Sequence, residues 1–439
     1  MTDISRRQML VAGVAGVPLV GAALQHCLAE DAPQATGPLL GHVDHELAII
    51  WYRPAKPGVY AVQLIDVKIN IRKELLATSS ADNDLCVTWR LEGLNPATEY
   101  RYRIVQGEQA VAEDANFTFH TAPAPNQPVR TSLVLGSCAS SVKFFDIWTR
   151  IESLKPDGLV LLGDTPYIDS SDKKINRDKH REFLSMPTLA HLSARTPTWG
   201  TWDDHDFGKN DSDGNVKGKE VIRKVFTEYR ALKHFGDGSN GVYTNFRLGG
   251  IEVFLLDPRY FAQTEQSPVD AEKPTCLGKK QWAWLLENLK ASTASFKVLA
   301  TGMIWDDKKN KEKDDWETYA HEREAIFNFI GANKITGVLL IGGDIHVSRH
   351  LQYPTTPRVG YDLHQFIISP LHDRTIPSLN VPHPQLVWGE PLPNMFLHLV
   401  CDTTAVPATL SAAWIDRTGK THREVKLTER DLSQQAKGT

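Results

Sequence analysis

Three apolar runs in this chain each end in a short cluster of glycine and polar residues. The clusters are Gly136-Ser137-Cys138, Gly163-Asp164 and Gly343-Asp344. In layered α/β folds, functional groups gather beyond the carboxyl ends of strands, where loops converge at one edge of the sheet, and glycine lets the backbone turn sharply there. A single cluster is often only a turn. The repetition, however, predicts an α/β domain whose strand ends form a shared site.

A fourth segment, Trp202-Asp203-Asp204-His205-Asp206, follows another apolar stretch. Carboxylates so crowded repel one another and lose hydration when buried, so a fold tolerates them in open water or around a cation. Taken alone, the segment fits a solvated acidic loop as well as a metal site. Because it accompanies the three strand ends, we interpret it as part of a metal site.

The chain of 439 residues is long enough for two folded units. Residues 37–121 alternate short β-rich runs with turn residues, which predicts a small β-sandwich. Within it, residues 94–102 resemble the tyrosine corner of fibronectin type III domains, and Trp51 suits their core tryptophan. After a proline-rich linker, residues 129–427 alternate apolar strands with amphipathic helices, which predicts a layered α/β domain. Its strand candidates are 132–136, 158–162, 251–256, 297–301 and 337–341, and its helix candidates are 144–154, 221–232, 279–290 and 321–330.

The composition argues against a general affinity for polyanions. With 49 basic and 53 acidic residues the net charge is -4. Since there is also no long Lys/Arg tract, no specific nucleic-acid partner is expected. Beyond the N-terminal segment only four cysteines remain, too few for a disulfide scaffold, although Cys276 and Cys401 could pair outside the cytoplasm.

The first residues are predicted to lie outside the fold. Ser5-Arg6-Arg7-Gln8-Met9-Leu10 precedes a short, weakly apolar run, which resembles a twin-arginine export signal with cleavage after Ala29. The run is too short to span a bilayer comfortably; an N-terminal anchor and a lipid on Cys27 are the alternatives. We therefore expect residues 1–29 to be a signal peptide that engages the twin-arginine export machinery. The mature protein would be periplasmic or secreted, without stable membrane insertion.

The four polar clusters together point to a family. In order and spacing they resemble the motifs of PhoD-like alkaline phosphatases, a branch of the metallophosphoesterases: Gly136-Ser137-Cys138, Gly163-Asp164-Thr165-Pro166-Tyr167, Trp202-Asp203-Asp204-His205-Asp206 and Gly343-Asp344-Ile345-His346. The resemblance covers nearly the whole mature chain. It implies a four-layer αββα catalytic core over residues 129–427, preceded by the β-sandwich. It also implies hydrolysis of phosphate esters by a hydroxide that two metal ions activate.

The resemblance implies iron and calcium as the two metals. It assigns Fe³⁺ to Cys138, Asp164, Tyr167 and Asp344, with Asp164 bridging to Ca²⁺. Such thiolate, phenolate and carboxylate ligation suits ferric iron better than magnesium. Calcium requires a larger oxygen shell, for which the first candidate is Asp204 and the further ones are Asp203, Asn210 and Asp211. His346 is expected to be a calcium ligand or a substrate contact, with a structural role as the alternative.

Two more residues are candidates for chemistry. His205, next to Asp204, would protonate the leaving group or hydrogen-bond the phosphate, with Asp206 orienting its ring; a structural histidine is the alternative. Arg259, which follows the apolar run 251–256, would clamp the phosphate through its planar guanidinium, unless a salt bridge to Asp257 holds it. The charged run 306–315 is predicted to be a solvated loop.

The resulting hypothesis is an exported, monomeric phosphatase that acts on small phosphate esters. One alternative is a phosphodiesterase or nucleotidase with little monoesterase activity, because the pocket width that decides this is not visible in motifs. Another is a catalytically inert binding protein dominated by its β-sandwich. Against the inert protein stand the intact Cys138, Asp164, Tyr167, Asp204, His205 and Asp344.

Overall fold

This computed structural model describes residues 34–70, 72–125, 127–140, 146–306, 308–309 and 312–434. The predicted signal peptide, residues 1–29, and the first residues of the helix predicted for 144–154 lie outside the described residues. Within the described ranges, no helix is both long enough and apolar enough to cross a membrane.

The N-terminal part is the expected β-sandwich. Its strands are β1 (Thr36–Val43), β2 (Leu47–Arg53), β3 (Gly58–Asp66), β4 (Arg72–Ser79), β5 (Val87–Glu92), β6 (Glu99–Gln106), β7 (Gln109–Ala112) and β8 (Thr118–His120). One sheet has the order β1-β2-β5; the other has the order β4-β3-β6-β7, with β8 paired to β6. The Tyr100 hydroxyl accepts a hydrogen bond from the Asn95 N–H over 2.9 Å, which is the geometry of a tyrosine corner.

The core tryptophan of the sandwich is Trp89, and the prediction of Trp51 for this role was wrong. Successive side chains of a strand point to opposite faces, and both faces of β2 are buried. Ile50 packs with Trp89 inside the sandwich, whereas Trp51 and Ile49 pack with residues from later parts of the chain. A strand buried on both faces has no polar side in its sequence, so the pattern could not tell which face Trp51 occupies.

Two further sheets and their helices form the rest of the fold. Its strands are β9 (Arg130–Gly136), β10 (Gly158–Leu162), β11 (Thr198–Thr201), β12 (Thr244–Leu248), β13 (Ile251–Leu255), β14 (Phe296–Ala300), β15 (Val338–Gly342), β16 (Ser348–Tyr353), β17 (Leu363–Ile367), β18 (Leu386–Glu390), β19 (Met395–Asp402), β20 (Thr409–Asp416) and β21 (Thr421–Thr428). Its helices are α1 (Asp146–Ser153), α2 (Lys173–Leu184), α3 (Pro187–Ser193), α4 (Asp204–Phe207), α5 (Lys219–Glu228), α6 (Gly278–Ala291), α7 (Ala320–Ala332) and α8 (Thr356–Val359). The first sheet has the order β11-β10-β9-β19-β20-β21, and the second has the order β12-β13-β14-β15-β17-β16-β18. Every strand predicted for this region is present, with ends shifted by a residue or two.

The apolar cores confirm the four-layer αββα order. Leu133 and Leu135 of β9 share one core with the strands of the second sheet, with α6 and with α7. Val134, between them, belongs to a different core, which contains residues of α1, α2, α3 and α5. Because successive side chains of β9 point to opposite faces, one face of the first sheet packs against helices and the other face packs against the second sheet. Burial on both faces also explains why these strands read as continuous apolar runs.

The four cysteines of the described residues are buried and unpaired. Cys276 and Cys401 therefore do not form the disulfide that the sequence left open. Stability comes from the apolar cores, which are large enough in a chain of this length to need no covalent link.

Truncation of Trp51 tests the packing of the sandwich on the later part of the chain. Trp51 is fully buried, donates from Nε1 to the Glu228 carbonyl over 2.7 Å and contacts the Tyr229 ring at 5.6 Å between centroids. We expect Trp51→Ala to lower the free energy of unfolding by about 3–5 kcal/mol, measured by urea titration with circular dichroism. Trp51→Phe, which keeps an aromatic ring, should lose less. Equal stability of Trp51→Ala and the wild type would contradict this packing.

Candidate metal centre

The loops that carry the predicted ligands converge at one end of the two sheets. β9, β10 and β11 are parallel neighbours in the first sheet, and β14, β15 and β17 are parallel neighbours in the second. The loops after these strands therefore leave each sheet at the same edge. Cys138 joins the two sheets, because its Sγ lies 3.5 Å from Asp164 Oδ2 after β10 and 3.4 Å from the Asp344 carbonyl oxygen after β15.

Left-handed backbone conformations set the direction of these side chains. Cys138, Asp164, Asp344 and His346 have φ angles of 57°, 54°, 66° and 53°. Such angles are uncommon for residues other than glycine, and they cluster at functional sites when the surrounding structure maintains them. Gly163, with φ of 89°, is needed for a second reason: a Cβ atom there would clash with the backbone of Asp203.

The first candidate ligand group consists of Cys138, Asp164 and His346, whose donor atoms lie within 4.8 Å of one another. Tyr167 adjoins it, with Oη 2.8 Å from His346 Nε2 and 3.2 Å from His372 Nε2. Burial raises the pKa of the Cys138 thiol and of the Tyr167 phenol, and the Asp164 carboxylate raises both further. Hydrogen bonds with Ser137 and Ser369 lower the pKa of Cys138 in part, and a cation at this position would favour both the thiolate and the phenolate.

The second candidate group consists of carboxylates. Donor oxygens of Asp203, Asp204 and Asp344 lie within 4.8 Å of one another, and Asp204 also forms a group with Asp164 and His205. Asp164 and Asp204 therefore connect a sulfur-containing group to an oxygen-rich one. Burial raises the pKa of Asp344 to about 7, although the Lys308 ammonium lowers it. This unfavourable burial of charge is what a bound cation would relieve.

Buried atoms without partners support metal binding at both groups. Among the described residues, Asp164 Oδ1, Asp203 Oδ2 and His346 Nδ1 are buried and have no hydrogen-bond partner. A buried polar atom left unpaired is costly and calls for an explanation. A metal ion accepts electron pairs from carboxylate oxygen and imidazole nitrogen alike, so the donor set fits two cations: one with sulfur and nitrogen ligands and one with oxygen ligands.

The structure brings the predicted ligands together but divides them differently. It places His346, predicted for calcium, with Cys138 and Asp164; it places the carboxylate of Asp344, predicted for iron, with Asp203 and Asp204. Of the further calcium candidates, Asp211 lies with Asp204 and Asp314 in a group of its own, while Asn210 is exposed. The metal assigned to each residue stays a prediction.

His205 is held by a residue that the sequence analysis did not single out. Its Nδ1 hydrogen-bonds the carboxylate of Asp169, and its ring lies 4.7 Å from that of Tyr167. Burial lowers the pKa of His205, but the Asp204 and Asp169 carboxylates together raise it above its usual value. The prediction that Asp206 orients this ring was wrong. Its carboxylate accepts hydrogen bonds from the backbone N–H groups of Thr165 and Asp203 instead. Its place in the first turn of α4 makes it part of a capping box, which explains the difference.

Arg259 is buried among carboxylates. Its Nε donates to Asp203 Oδ1 over 2.7 Å, and its Nη1 donates to Asp314 and to the Ser212 carbonyl. The alternative salt bridge to Asp257 was wrong, because Asp257 accepts from the backbone N–H of Arg259 and not from the guanidinium. With its three nitrogens directed at protein oxygens, Arg259 is better placed to position the carboxylates than to clamp a phosphate.

Sequence reasoning missed several residues of this site. His372 follows β17, whose apolar run also ends in a polar cluster, so the strand-end signal could have found it. Lys308 and Asp314 belong to the run 306–315, and the prediction of a solvated loop was wrong for these two residues, which are only 4% and 2% exposed. Of the other described residues of the run, Lys309, Glu312 and Lys313 are exposed as predicted. Opposite charges that pair with each other can be buried, and composition does not reveal the pairing.

The two facing sheets, with candidate ligands on the loops at one edge, have the fold of the metallophosphoesterases. A model described as PhoD-like phosphatase matches residues 133–386, more than half of the chain. The chain belongs to this family, and the resemblance of its four motifs is confirmed.

Known relatives agree with this family. Alkaline phosphatase D of Bacillus subtilis (strain 168) is 25% identical over 380 residues, which cover 72% of this chain and 65% of the relative. The match thus spans less than two thirds of that relative's length. A solved structure of PhoD has a TM-score of 0.73 at 17% identity, covering 89% of this chain and 88% of the other. The purple acid phosphatase PPD1 from yellow lupin (Lupinus luteus) seeds has a TM-score of 0.66 at 10% identity, covering 91% and 75%. At these identities the two structures support the fold alone.

Arg259→Met tests the buried ion pairs. The substitution leaves Asp203 and Asp314 buried without this compensating charge, so we expect the free energy of unfolding to fall by about 3–5 kcal/mol in a denaturant titration. Arg259→Lys, which keeps the charge but not the planar fork, should recover part of the loss. Unchanged stability together with a raised KM for a phosphate ester would instead support the phosphate clamp.

Proposed function

We propose that this protein hydrolyses phosphate esters at a centre of two metal ions held by the strand-end loops. The observation that carries the proposal is the meeting of a sulfur-containing and an oxygen-rich ligand group through Asp164 and Asp204. Membership of the PhoD-like phosphatase family supports the proposal. So does the relative named alkaline phosphatase D.

Iron and calcium are the proposed metals. Cys138, Asp164 and His346, with Tyr167 beside them, offer the anionic and partly soft donors that suit Fe³⁺. The oxygen-rich group offers the carboxylates that suit Ca²⁺: Asp203, Asp204 and Asp344. When bound, the two cations supply the positive charge that acidifies water and neutralises phosphate oxygens.

His205 is proposed to hold the proton for the leaving group. An alkoxide leaves poorly unless it is protonated, so a positioned acid raises the rate. Asp169 takes the hydrogen bond from Nδ1, which leaves Nε2 for the substrate. The His205 side chain is 22% exposed, enough to reach an entering ligand, and the Tyr167 ring restricts its rotation.

The proposal also covers the location of the protein and the division of its chain into domains. We propose that residues 1–29 are a twin-arginine signal, that residues 37–121 form the sandwich domain and that residues 129–427 form the catalytic domain. The mature protein would be a monomer that acts outside the cytoplasm. The twin-arginine pathway carries folded proteins, so the metals would be loaded before export. Because ligand binding couples to folding, such loading would let the cell control which metals occupy the site.

Metal content is the first test. Elemental analysis of purified protein is expected to find iron and calcium together, and chelation should abolish hydrolysis because the charge on the phosphate would be left uncompensated. A monoester and a diester should be assayed side by side. Turnover of the diester alone would favour the phosphodiesterase alternative. Full activity with zinc alone would contradict ligation by Cys138 and Tyr167.

Two substitutions separate metal binding from proton transfer. Asp164→Asn should lose both metals and turnover, because Asp164 belongs to the sulfur-containing group and also shares a group with Asp204, a member of the oxygen-rich one. His205→Ala should retain both metals while kcat falls by roughly 10²–10⁴-fold, the usual contribution of a positioned acid. His45→Ala, at a partly exposed histidine of the sandwich, is the matched control. Full turnover in His205→Ala would show that the proton-donor role is wrong.

A further inference from the structure

A cavity of about 800 Å³ lies at the edge of the first sheet opposite to the candidate metal centre. Its wall includes Arg130, the first residue of β9, and also Asp157 and Pro197, which directly precede β10 and β11. These strands are parallel, so the cavity lies at their amino ends, whereas the candidate ligands follow their carboxyl ends. The seven residues of β9, at about 3.3 Å each, keep the two edges about 20 Å apart. We call this space the amino-end cavity.

The amino-end cavity has the size and the apolar lining of a small-molecule site. Such sites occupy about 300–1,000 Å³ and lie preferentially where two domains meet. Part of the wall belongs to the sandwich and part to the later chain. Apolar residues come from both parts: Val43, Ala97, Phe119, Val129, Pro156 and Leu248. An apolar body that enters the cavity is removed from water there, which favours binding.

Lys155 is a cation of this wall that the fold leaves unpaired. Its side chain is exposed, and it forms neither a salt bridge nor a hydrogen bond with another residue that the structure describes. Its φ angle is 50°, at a position just after α1 where helices commonly place glycine. The chain therefore carries a long cationic side chain where the backbone favours none, and the ammonium is available to an anion in the cavity.

Arg195 brings a second cation and an unsatisfied donor to the same wall. Its Nη1 lies 3.2 Å from Glu152 Oε1, and its Nη2 hydrogen-bonds His191 Nε2. Its Nε, however, is buried without a hydrogen-bond partner among the described residues, which is costly for an N–H group. Because the side chain is 23% exposed, it has room to turn this donor toward an acceptor that enters the cavity.

The two carboxylates of the wall already have partners. Glu152 is paired with Arg195. Desolvation raises the pKa of Asp157, although a hydrogen bond of 2.7 Å from the Ser132 N–H and the charge of Arg130 lower it in part. The wall carries three Arg or Lys side chains and these two carboxylates. One positive charge is thus left over, and it favours a ligand with a negative charge.

We propose that the amino-end cavity binds a small organic anion, with its anionic group at Lys155 and Arg195 and its apolar body against the apolar lining. A carboxylate and a phosphonate share this chemistry. Since such a ligand contacts the sandwich and the later chain together, its binding stabilises the association of these two parts. The inference is independent of the metal centre and of phosphate-ester hydrolysis.

The test is calorimetric titration of the full chain with phenylbutyrate, phenylphosphonate and the uncharged phenylbutyramide. We expect both anions to bind, and the amide to bind about tenfold more weakly than phenylbutyrate, because it lacks the charge that strengthens the hydrogen bonds. The tighter of the two anions identifies the preferred group. The melting temperature should rise with the concentration of a bound anion.

Lys155→Met isolates the contribution of the ammonium, since it keeps an unbranched side chain and removes the charge. We expect the Kd of phenylbutyrate to rise by about tenfold and that of phenylbutyramide to stay unchanged. Lys290→Met, at an exposed lysine in the last turn of α6, is the matched control and should bind both compounds as the wild type does. The melting temperatures of the ligand-free variants check that both are folded.

Asp164→Asn shows at which edge of the sheet the anion binds. It should bind phenylbutyrate as tightly as the wild type does, because Asp164 lies at the opposite edge. Binding that disappears in Asp164→Asn and persists in Lys155→Met would place the anion at the metal centre and overturn the inference. No binding to the wild type at millimolar ligand, or equal Kd values for the wild type and Lys155→Met, would also overturn it. These outcomes leave hydrolysis untouched, so they are distinct from a failure of the proposed function.

Discussion

The crowding of negative charge at the strand ends is the constraint on which the rest of this structure depends. Four carboxylates are almost completely buried: Asp164, Asp203, Asp204 and Asp314. A buried carboxylate without a compensating positive charge strongly destabilises the folded state. Arg259 compensates Asp203 and Asp314, and Lys308 compensates Asp314 and Asp344. Among the residues that the structure describes, Asp164 Oδ1, Asp203 Oδ2 and His346 Nδ1 are buried without a hydrogen-bond partner, and all three belong to the candidate ligand groups. Loops from both sheets are thus held together by charge as well as by packing.

The apolar layers supply the rigidity that this charge requires. β9 sends Leu133 and Leu135 into the core between the sheets and Val134 into the outer helical core, so the strand before Cys138 is fixed on both faces. The sandwich adds to the outer layer through Trp51, which packs with residues of that same helical core. The position of each ligand therefore depends on cores that contain none of the ligands.

The fold was predictable from the sequence to the extent that its signals are local. The apolar runs predicted the strands, because strands that are buried on both faces have continuous apolar sequences. A short motif predicted the tyrosine corner at Tyr100. The errors arose where partners are distant in sequence. Trp51 was assigned to the wrong core because both faces of β2 are buried. Lys308 and Asp314 were predicted to be solvated because each forms its ion pairs only in the folded chain.

The sequence by itself determined which residue types stand at the strand ends: a thiol, carboxylates, a phenol and imidazoles, each following an apolar run. It therefore determined that a metal site was the best interpretation, and it identified the family. Only the tertiary structure decided how these groups divide, with His346 beside Cys138 and the carboxylate of Asp344 beside Asp203 and Asp204. It also decided that Arg259 and Lys308 form ion pairs with the buried carboxylates. Distances between loops that lie far apart in the chain depend on the packing of the two sheets, and no local pattern encodes them.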